Sequence, residues 1–303
     1  MSIEVRDLSK LYGQQKAIDG VSFSVSKGDI TGFLGPNGAG KSTTMKIISG
    51  YLKADGGSAS VCGLGVDEDP IGVKRKIGYL PEANPLYPEM YVVEYLGFIA
   101  KLHTLRNRKQ KIEEAIGWVG LTPERKKKIG QLSKGFKQRV GLAAAMIHDP
   151  EVLILDEPTS GLDPNQIVEI REVIRGMGSG KTILFSSHIL QEIQAICSRV
   201  IIIHQGRIVS DSPLAELQGL RTNRVRIRFD EDVQASLFGA IPGILSLMPL
   251  SGKEWEIEAE NPTELKKQLL SIALQQNLNI VSLQNEGRSL EDIFRSLTAG
   301  SAS

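Results

Sequence analysis

Long apolar runs are missing from this sequence. The longest, VLIL at 152–155 and VIIIH at 200–204, fall far short of the roughly eighteen residues that crossing a bilayer takes. The start, MSIEVRDLSK, has neither an apolar signal core nor the basic character of a transit peptide. The chain is therefore read as one that does not span a membrane, although it can dock on one. Cysteine is nearly absent. Cys62 and Cys197 cannot build a disulfide framework, and a reducing compartment is the simpler setting. Both stand in apolar stretches and read as small buried residues. An excess of one charge is absent too. A net charge of +1 gives no overall field for nucleic acid or acidic lipid. The four histidines do not cluster and the two cysteines lie far apart, which excludes a structural zinc set. There is no N-K-x-D to read guanine, and no internal repeat stands out.

What remains is an ordinary globular composition, 41% apolar and 23% charged over 303 residues, long enough for two domains. Ile3–Leu8 and Val21–Val25 alternate and read as strands. Ile30–Leu34 is an apolar strand running into GPNGAGKST, and Thr43–Ile48 reads as helix. Gly56, Gly57, Gly63 and Gly65 mark a turn-rich section, followed by a strand at Ile77–Leu80. From Pro88 to about Asp149 the pattern turns helical, with candidates at Val92–Leu102, Arg108–Val119 and Gln138–Ile147. This helical subdomain (88–150) also carries the basic run Arg125–Lys128. Strands at Val152–Leu155, Thr182–Phe185 and Val200–Ile203 then alternate with helices at Gln166–Met177 and Ile189–Ile196. That order predicts an α/β fold on a mainly parallel sheet, followed by a hairpin turn at Gly206. The first domain is expected to run over 1–218.

The character changes near Gly219. Val225–Phe229, a short helix, strands at Ile244–Pro249 and Trp255–Ala259, and a helix at Thr263–Gln275 capped by Asn261 or Thr263 follow one another. A strand at Ile280–Leu283 and a helix at Leu290–Leu297 complete the order βαββαβ, a small α+β, ferredoxin-like domain over 222–298. The tail at 299–303 is expected to be disordered.

Gly35-Pro36-Asn37-Gly38-Ala39-Gly40-Lys41-Ser42 fits G-x-x-x-x-G-K-[ST], with Thr43 next. Glycines let backbone N–H groups turn toward an anion, and the following helix adds its dipole. Lys41 is placed to hold the β- and γ-phosphates of a nucleotide and Ser42 to ligate Mg²⁺. Asp156 ends a buried strand, where a carboxylate can hold Mg²⁺ through water. Glu157 beside it either orients or deprotonates an attacking water, or is a charged strand end. His188, after Thr182–Phe185, either donates to a γ-phosphate oxygen or simply begins a helix. Tyr12 either stacks on an adenine or is a strand-edge aromatic. Glu82, in YLPE, can approach Mg²⁺ or water, or is a turn residue.

LSKGFKQR at Leu132–Arg139, LDE at 155–157, SGLD at Ser160–Asp163 and His188, in that order over residues 1 to about 215, resemble the ATP-binding subunits of ABC transporters. The resemblance implies a P-loop ATPase fold of ABC type and hydrolysis of ATP with Mg²⁺. Glu157 becomes the catalytic base, Asp156 the metal aspartate, His188 the switch histidine and Tyr12 the adenine-stacking ring. Ser133 and Gly135 become a signature that closes on the ATP of a second copy, and Asp163 belongs to the loop that crosses between subunits. A homodimer around two ATP follows, bound to a transmembrane permease on the cytoplasmic face of the inner membrane, with no nucleic acid expected. Three positions depart from the pattern: Lys134, Phe136, and Glu82 in place of a glutamine. YLPE followed by NPLY is similar to cassettes with ABC-2 type permeases. LSKGFKQRVGLAAAMIHDPEVLILDEPTSGLDPNQ, with SLEDIF near the end, resembles the gliding-motility-associated subunits of the Bacteroidetes lineage. Residues 222–298 look like the accessory domain that follows many such cassettes. Competing readings are a soluble ABC-type ATPase in translation or DNA repair, which usually carries two cassettes or a long coiled-coil insertion, and a nucleotide-gated scaffold.

Overall fold

The computed structural model describes residues 1–177, 180–219, 224–239, 241–286 and 294. The chain forms two units, Met1–Leu214 and Ala215–Ser303. Among the described residues no helix is long and apolar enough to cross a membrane.

The first unit opens on a long hairpin, β1 (Ile3–Tyr12) and β2 (Gln15–Val25), joined by β4 (Gly56–Val61) and the two-residue β5 (Leu64–Gly65) in the order β2-β1-β4-β5. Both hairpin strands outrun the alternating segments seen in the sequence. Their extensions toward the turn are mostly exposed or half-buried, with Ile18 as the one core residue, so ladder hydrogen bonds rather than a clean apolar alternation hold them. The glycine-rich section also forms strands where turns were expected. In the chain, β3 (Ile30–Leu34) follows β2 and leads through the glycine loop into α1 (Lys41–Ile48).

Then come α2 (Pro70–Lys76), β6 (Ile77–Leu80), α3 (Val92–Leu102), α4 (Arg108–Trp118), α5 (Lys134–Met146), β7 (Val152–Asp156), α6 (Pro164–Met177), β8 (Thr182–Ser187), α7 (Leu190–Ile196), β9 (Arg199–His204) and β10 (Arg207–Pro213). The main sheet has the order β10-β9-β3-β8-β7-β6. Every pair is parallel except β10 with β9. Strands β7 and β8 are buried at every residue, as a sheet covered on both faces demands. Phe33, Ile154, Leu184 and Ile201 share a core with Met45 and Ile48 of α1. Each such side chain contributes about 1.5–3 kcal/mol on burial, enough to hold the loop between β3 and α1 in one geometry.

α2 was not foreseen. Asp69 caps it, its carboxylate accepting from Gly72 N at 2.8 Å, and Pro70 takes the first turn, where a missing N–H costs nothing. α5 starts at Lys134, four residues before the expected Gln138. The Ser133 hydroxyl accepts from Phe136 N at 3.4 Å and fixes that start. Cys197 is buried, but Cys62 is only partly so, because it sits in a tight turn with φ of 50°.

The second unit opens within α8 (Leu214–Gly219). β11 (Arg224–Phe229), β12 (Ile244–Ser251), β13 (Glu254–Ala259) and β14 (Ile280–Glu286) make an antiparallel sheet of order β12-β13-β11-β14, with α9 (Pro262–Gln275) packed on it. The short helix expected after β11 is a single 3-10 turn, Ala235–Phe238. Asn261, not Thr263, caps α9, accepting from Thr263 N and Glu264 N. Phe229, Phe238, Trp255 and Leu269 fill its core. The helix expected at Leu290–Leu297 and the tail at 299–303 lie outside the described residues, Phe294 excepted.

Candidate functional site

The chemistry gathers where three parallel strands end. Gly35 follows β3, Asp156 and Glu157 close β7, and His188 follows β8. Parallel sheets bind ligands outside these carboxyl ends.

The Gly35–Gly40 loop has little freedom. Gly38 has φ of 79° and Gly40 of 108°, and a side chain on Gly40 would bring its Cβ to 2.6 Å from the Ala17 carbonyl of β2. At Gly35 the same atom would fall 2.5 Å from the Ile203 carbonyl of β9. Glycine is thus required by both conformation and space. The loop folds back on Lys41, whose Nζ donates to the carbonyls of Gly35 at 2.8 Å and Pro36 at 3.2 Å. The same ammonium lies 3.2 Å from Oε1 of Glu157, with both side chains buried.

Asp156 is 1% exposed. Its Oδ1 accepts from Ser42 Oγ at 3.1 Å and from Ser186 Oγ at 2.7 Å. Burial pushes its carboxyl above the usual carboxylate range, against the pull of those two hydroxyls. A buried carboxylate met by neutral donors gains from a cation, and the hydroxyl and carboxylate oxygens suit a hard divalent ion. Glu157 stands in the left-handed region, with φ of 48°, which non-glycine residues occupy at a cost and mostly at functional sites. Its N–H donates to Ser186 Oγ at 2.9 Å. Nδ1 of His188 meets its Oε2 at 2.8 Å. Lys41, Glu157 and His188 are therefore in line, with the imidazole as the exposed end at 41%.

A cavity of about 380 Å³ lies over this row. Asn37, Gly38, Gly40, Lys41, Ser42 and Thr43 form one side, and Glu82, Glu157, Ser160 and His188 the other. Glu82 is thus beside the phosphate loop, while Pro81 and Asn84 on either side of it line a different groove of about 910 Å³ bounded by α2, α3 and the end of α5. Tyr12 ends β1 at the hairpin turn, 53% exposed, and is not among the residues lining the cavity. Pro36 and Ala39 shape the loop from beneath: Ala39 N donates to the Pro36 carbonyl at 3.2 Å.

Ser133, Gly135 and Asp163 are elsewhere. They line a second cavity of about 340 Å³ that shares no residue with the first among the described residues. Gly135 is buried against Gln166, whose Oε1 would lie 2.9 Å from an added Cβ. Asp163 Oδ1 accepts from Gln166 N at 3.0 Å. Two of the unusual positions have local explanations here. Phe136 is covered by the Arg139 guanidinium, 5.8 Å from its ring centre, so its ring serves packing. The Lys134 ammonium lies against the Cα of Gly161, where φ of 67° leaves glycine at ease.

Ser186 is the residue that sequence reasoning passed over. It joins the two acids, donating to Asp156 and accepting from Glu157 N. The doubled hydroxyl before the histidine, Ser186-Ser187-His188, was its only signal.

The profile of the ABC transporter family matches residues 18–160. The linearmycin resistance ATP-binding protein LnrL of Bacillus subtilis (strain 168) is 34% identical over 98% of this chain and 98% of its own. The bacitracin transport ATP-binding protein BcrA of Bacillus licheniformis is 34% identical over 98% of this chain and 97% of its own. A solved structure described as the ATP binding subunit of an ABC transporter is 32% identical, with a TM-score of 0.66, over 72% of this chain and 92% of that one.

Proposed function

The chain belongs to the ATP-binding subunits of ABC transporters, and from that premise we propose how its residues hydrolyse ATP and whom the energy serves. The row Lys41–Glu157–His188 carries the reading. Glu157 is held by two groups that each have a use for phosphate. When the γ-phosphate enters, Lys41 turns its ammonium to it, and Oε1 of Glu157 is released toward solvent in the cavity. That carboxylate then orients a water in line with the γ-phosphorus and takes its proton, while His188 donates to a γ-oxygen. The bond to the β-phosphate oxygen breaks, giving ADP and phosphate. Ser42 and Asp156 would hold Mg²⁺, which when bound neutralises charge on the phosphates. Tyr12 stacks on the adenine from the hairpin turn.

The two separate cavities support the second half of the reading. Ser133 and Gly135 line none of the cavity over their own phosphate loop among the described residues, which supports a role on another chain. They close on the nucleotide of a second copy, with Asp163 in the crossing loop, so that two chains arranged head to tail bury two ATP. The groove beside Glu82 receives a short cytoplasmic helix of a membrane permease. Pro81–Pro85 touches both groove and phosphate cavity, and it carries docking to chemistry. The protein works at the cytoplasmic face of the membrane, and the permease is of the ABC-2 type. The narrower role, an exporter tied to gliding motility, rests on the resemblance of the signature region and SLEDIF, and loss of gliding in a deletion strain is its check. Residues 1–218 form the ATPase domain and 222–298 an accessory domain. Cargo is set by the permease.

The deciding variant is Glu157→Gln. Turnover should fall by about two orders of magnitude or more, and size-exclusion chromatography in ATP should give a pair of copies. Unimpaired turnover removes Glu157 as the base. Absence of pairing removes the shared site.

A further inference from the structure

The geometry points to Glu192 as a positioning residue that sets His188 against Glu157 through Ser187. This rests on the reading of His188 given above and extends it by two residues that face no nucleotide.

Glu192 lies in the first turn of α7 and is 1% exposed. A carboxylate withdrawn from water is costly unless hydrogen bonds compensate. Its Oε2 accepts from Ser187 Oγ at 2.6 Å, while Oε1 has no partner among the described residues. Ser187 is itself fully buried. Its hydroxyl also accepts from Ile189 N at 2.9 Å. These two bonds straddle His188. They tie the residue before it to the residue after it, and tie both to the helix behind. His188 needs this because its own ring is 41% exposed and gains little from packing. Its Nδ1 reaches Glu157 Oε2 at 2.8 Å only while the turn keeps its shape. Glu192, Ser187, His188, Glu157 and Lys41 thus form one line of contacts from the buried face of α7 to the phosphate loop. An apolar residue at 192 would avoid the desolvation cost and still fill the space. Only an acceptor there gives the Ser187 hydroxyl a fixed direction, leaving its lone pair for Ile189 N.

Substitutions separate position from bulk. Glu192→Met keeps the volume and removes the acceptor. Glu192→Gln keeps an acceptor for Ser187, and its amide group replaces the oxygen that has no partner. Steady-state ATP hydrolysis by the full chain is measured for both, for His188→Ala, and for the Glu192→Met/His188→Ala double variant. Thermal unfolding of each checks folding. We expect Glu192→Met to lower kcat about tenfold with KM for ATP within about twofold, and Glu192→Gln to recover most of the loss. The double variant should be no slower than His188→Ala alone, because residues acting through one another are not additive. If the two losses multiply, or Glu192→Met turns over normally while His188→Ala is slow, the inference is overturned and the parent reading stands. A normal His188→Ala overturns the parent reading of His188 and this one with it. Should Glu192→Met fail to fold, Ser187→Ala enters the same cycle.

Discussion

His148 follows α5, and its ring lies flat on that of His103, the centres 3.9 Å apart and the planes 10° from parallel. Nε2 donates to the Ile77 carbonyl at 3.0 Å, and Nδ1 is buried with no hydrogen-bond partner among the described residues. A second proton must therefore go to Nδ1, out of water and beside another imidazole. Burial, then His103, then Lys181 hold the group down, while the Ile77 carbonyl and Asp149 pull the other way. The balance brings His148 from 6.5 to about 4, and burial lowers His103 as well. The unfolded chain then binds more protons than the folded one between those two values. Stability from this group is complete above pH 6.5 and is lost as pH falls through the window to about 4. The full shift corresponds to roughly 3 kcal/mol, of which solvent at the exposed edge of the ring leaves about 2 kcal/mol. His148→Gln keeps a donor for Ile77 and cannot titrate. Urea unfolding of both proteins across pH 7 to 4.5 isolates the histidine from the many carboxylates that also titrate. The stability of the wild type relative to the variant should fall by about 2 kcal/mol over that range. Parallel curves for the two proteins would refute the buried neutral ring.

Gly40→Ala places a side chain on a φ of 108° and 2.6 Å from the Ala17 carbonyl. It should weaken ATP binding at least tenfold and cost about 1–3 kcal/mol of stability, measured by equilibrium nucleotide binding and thermal unfolding; unchanged affinity would contradict the cradle geometry. Burial pushes the Cys197 thiol far above its ordinary range and raises Cys62 less. At neutral pH iodoacetamide should label Cys62 first and Cys197 only in denaturant, read by peptide mass spectrometry, and early labelling of Cys197 would contradict its burial.

Much of the site was legible because it depends on backbone constraints that few residues satisfy. Two glycines forced by neighbouring carbonyls, and an acid at the end of an all-apolar strand, leave a strong mark in the sequence. The start of α5 was not legible. Lys134-Gly135-Phe136-Lys137 lacks an apolar stripe and contains a poor helix former, so periodicity begins only at Gln138; the Ser133 cap decides the boundary. The outer hairpin was lost for the opposite reason, since Gln15–Lys16 is polar and exposed, and ladder bonds leave no pattern in composition. Ser186 stayed hidden because its role is fixed by β7 and β8 lying side by side, thirty positions apart in the chain. No local window contains that adjacency.

That the two cavities share no lining residue among the described ones has a genetic consequence. If Ser133 closes on a second copy's nucleotide as proposed, a chain with an intact phosphate loop and a ruined Ser133 would still fill its own half of a pair and spoil the other. Mixed with normal chains, such a mutant should poison assemblies instead of merely adding idle ones. Its allele should therefore be dominant, while a deletion of the gene is recessive.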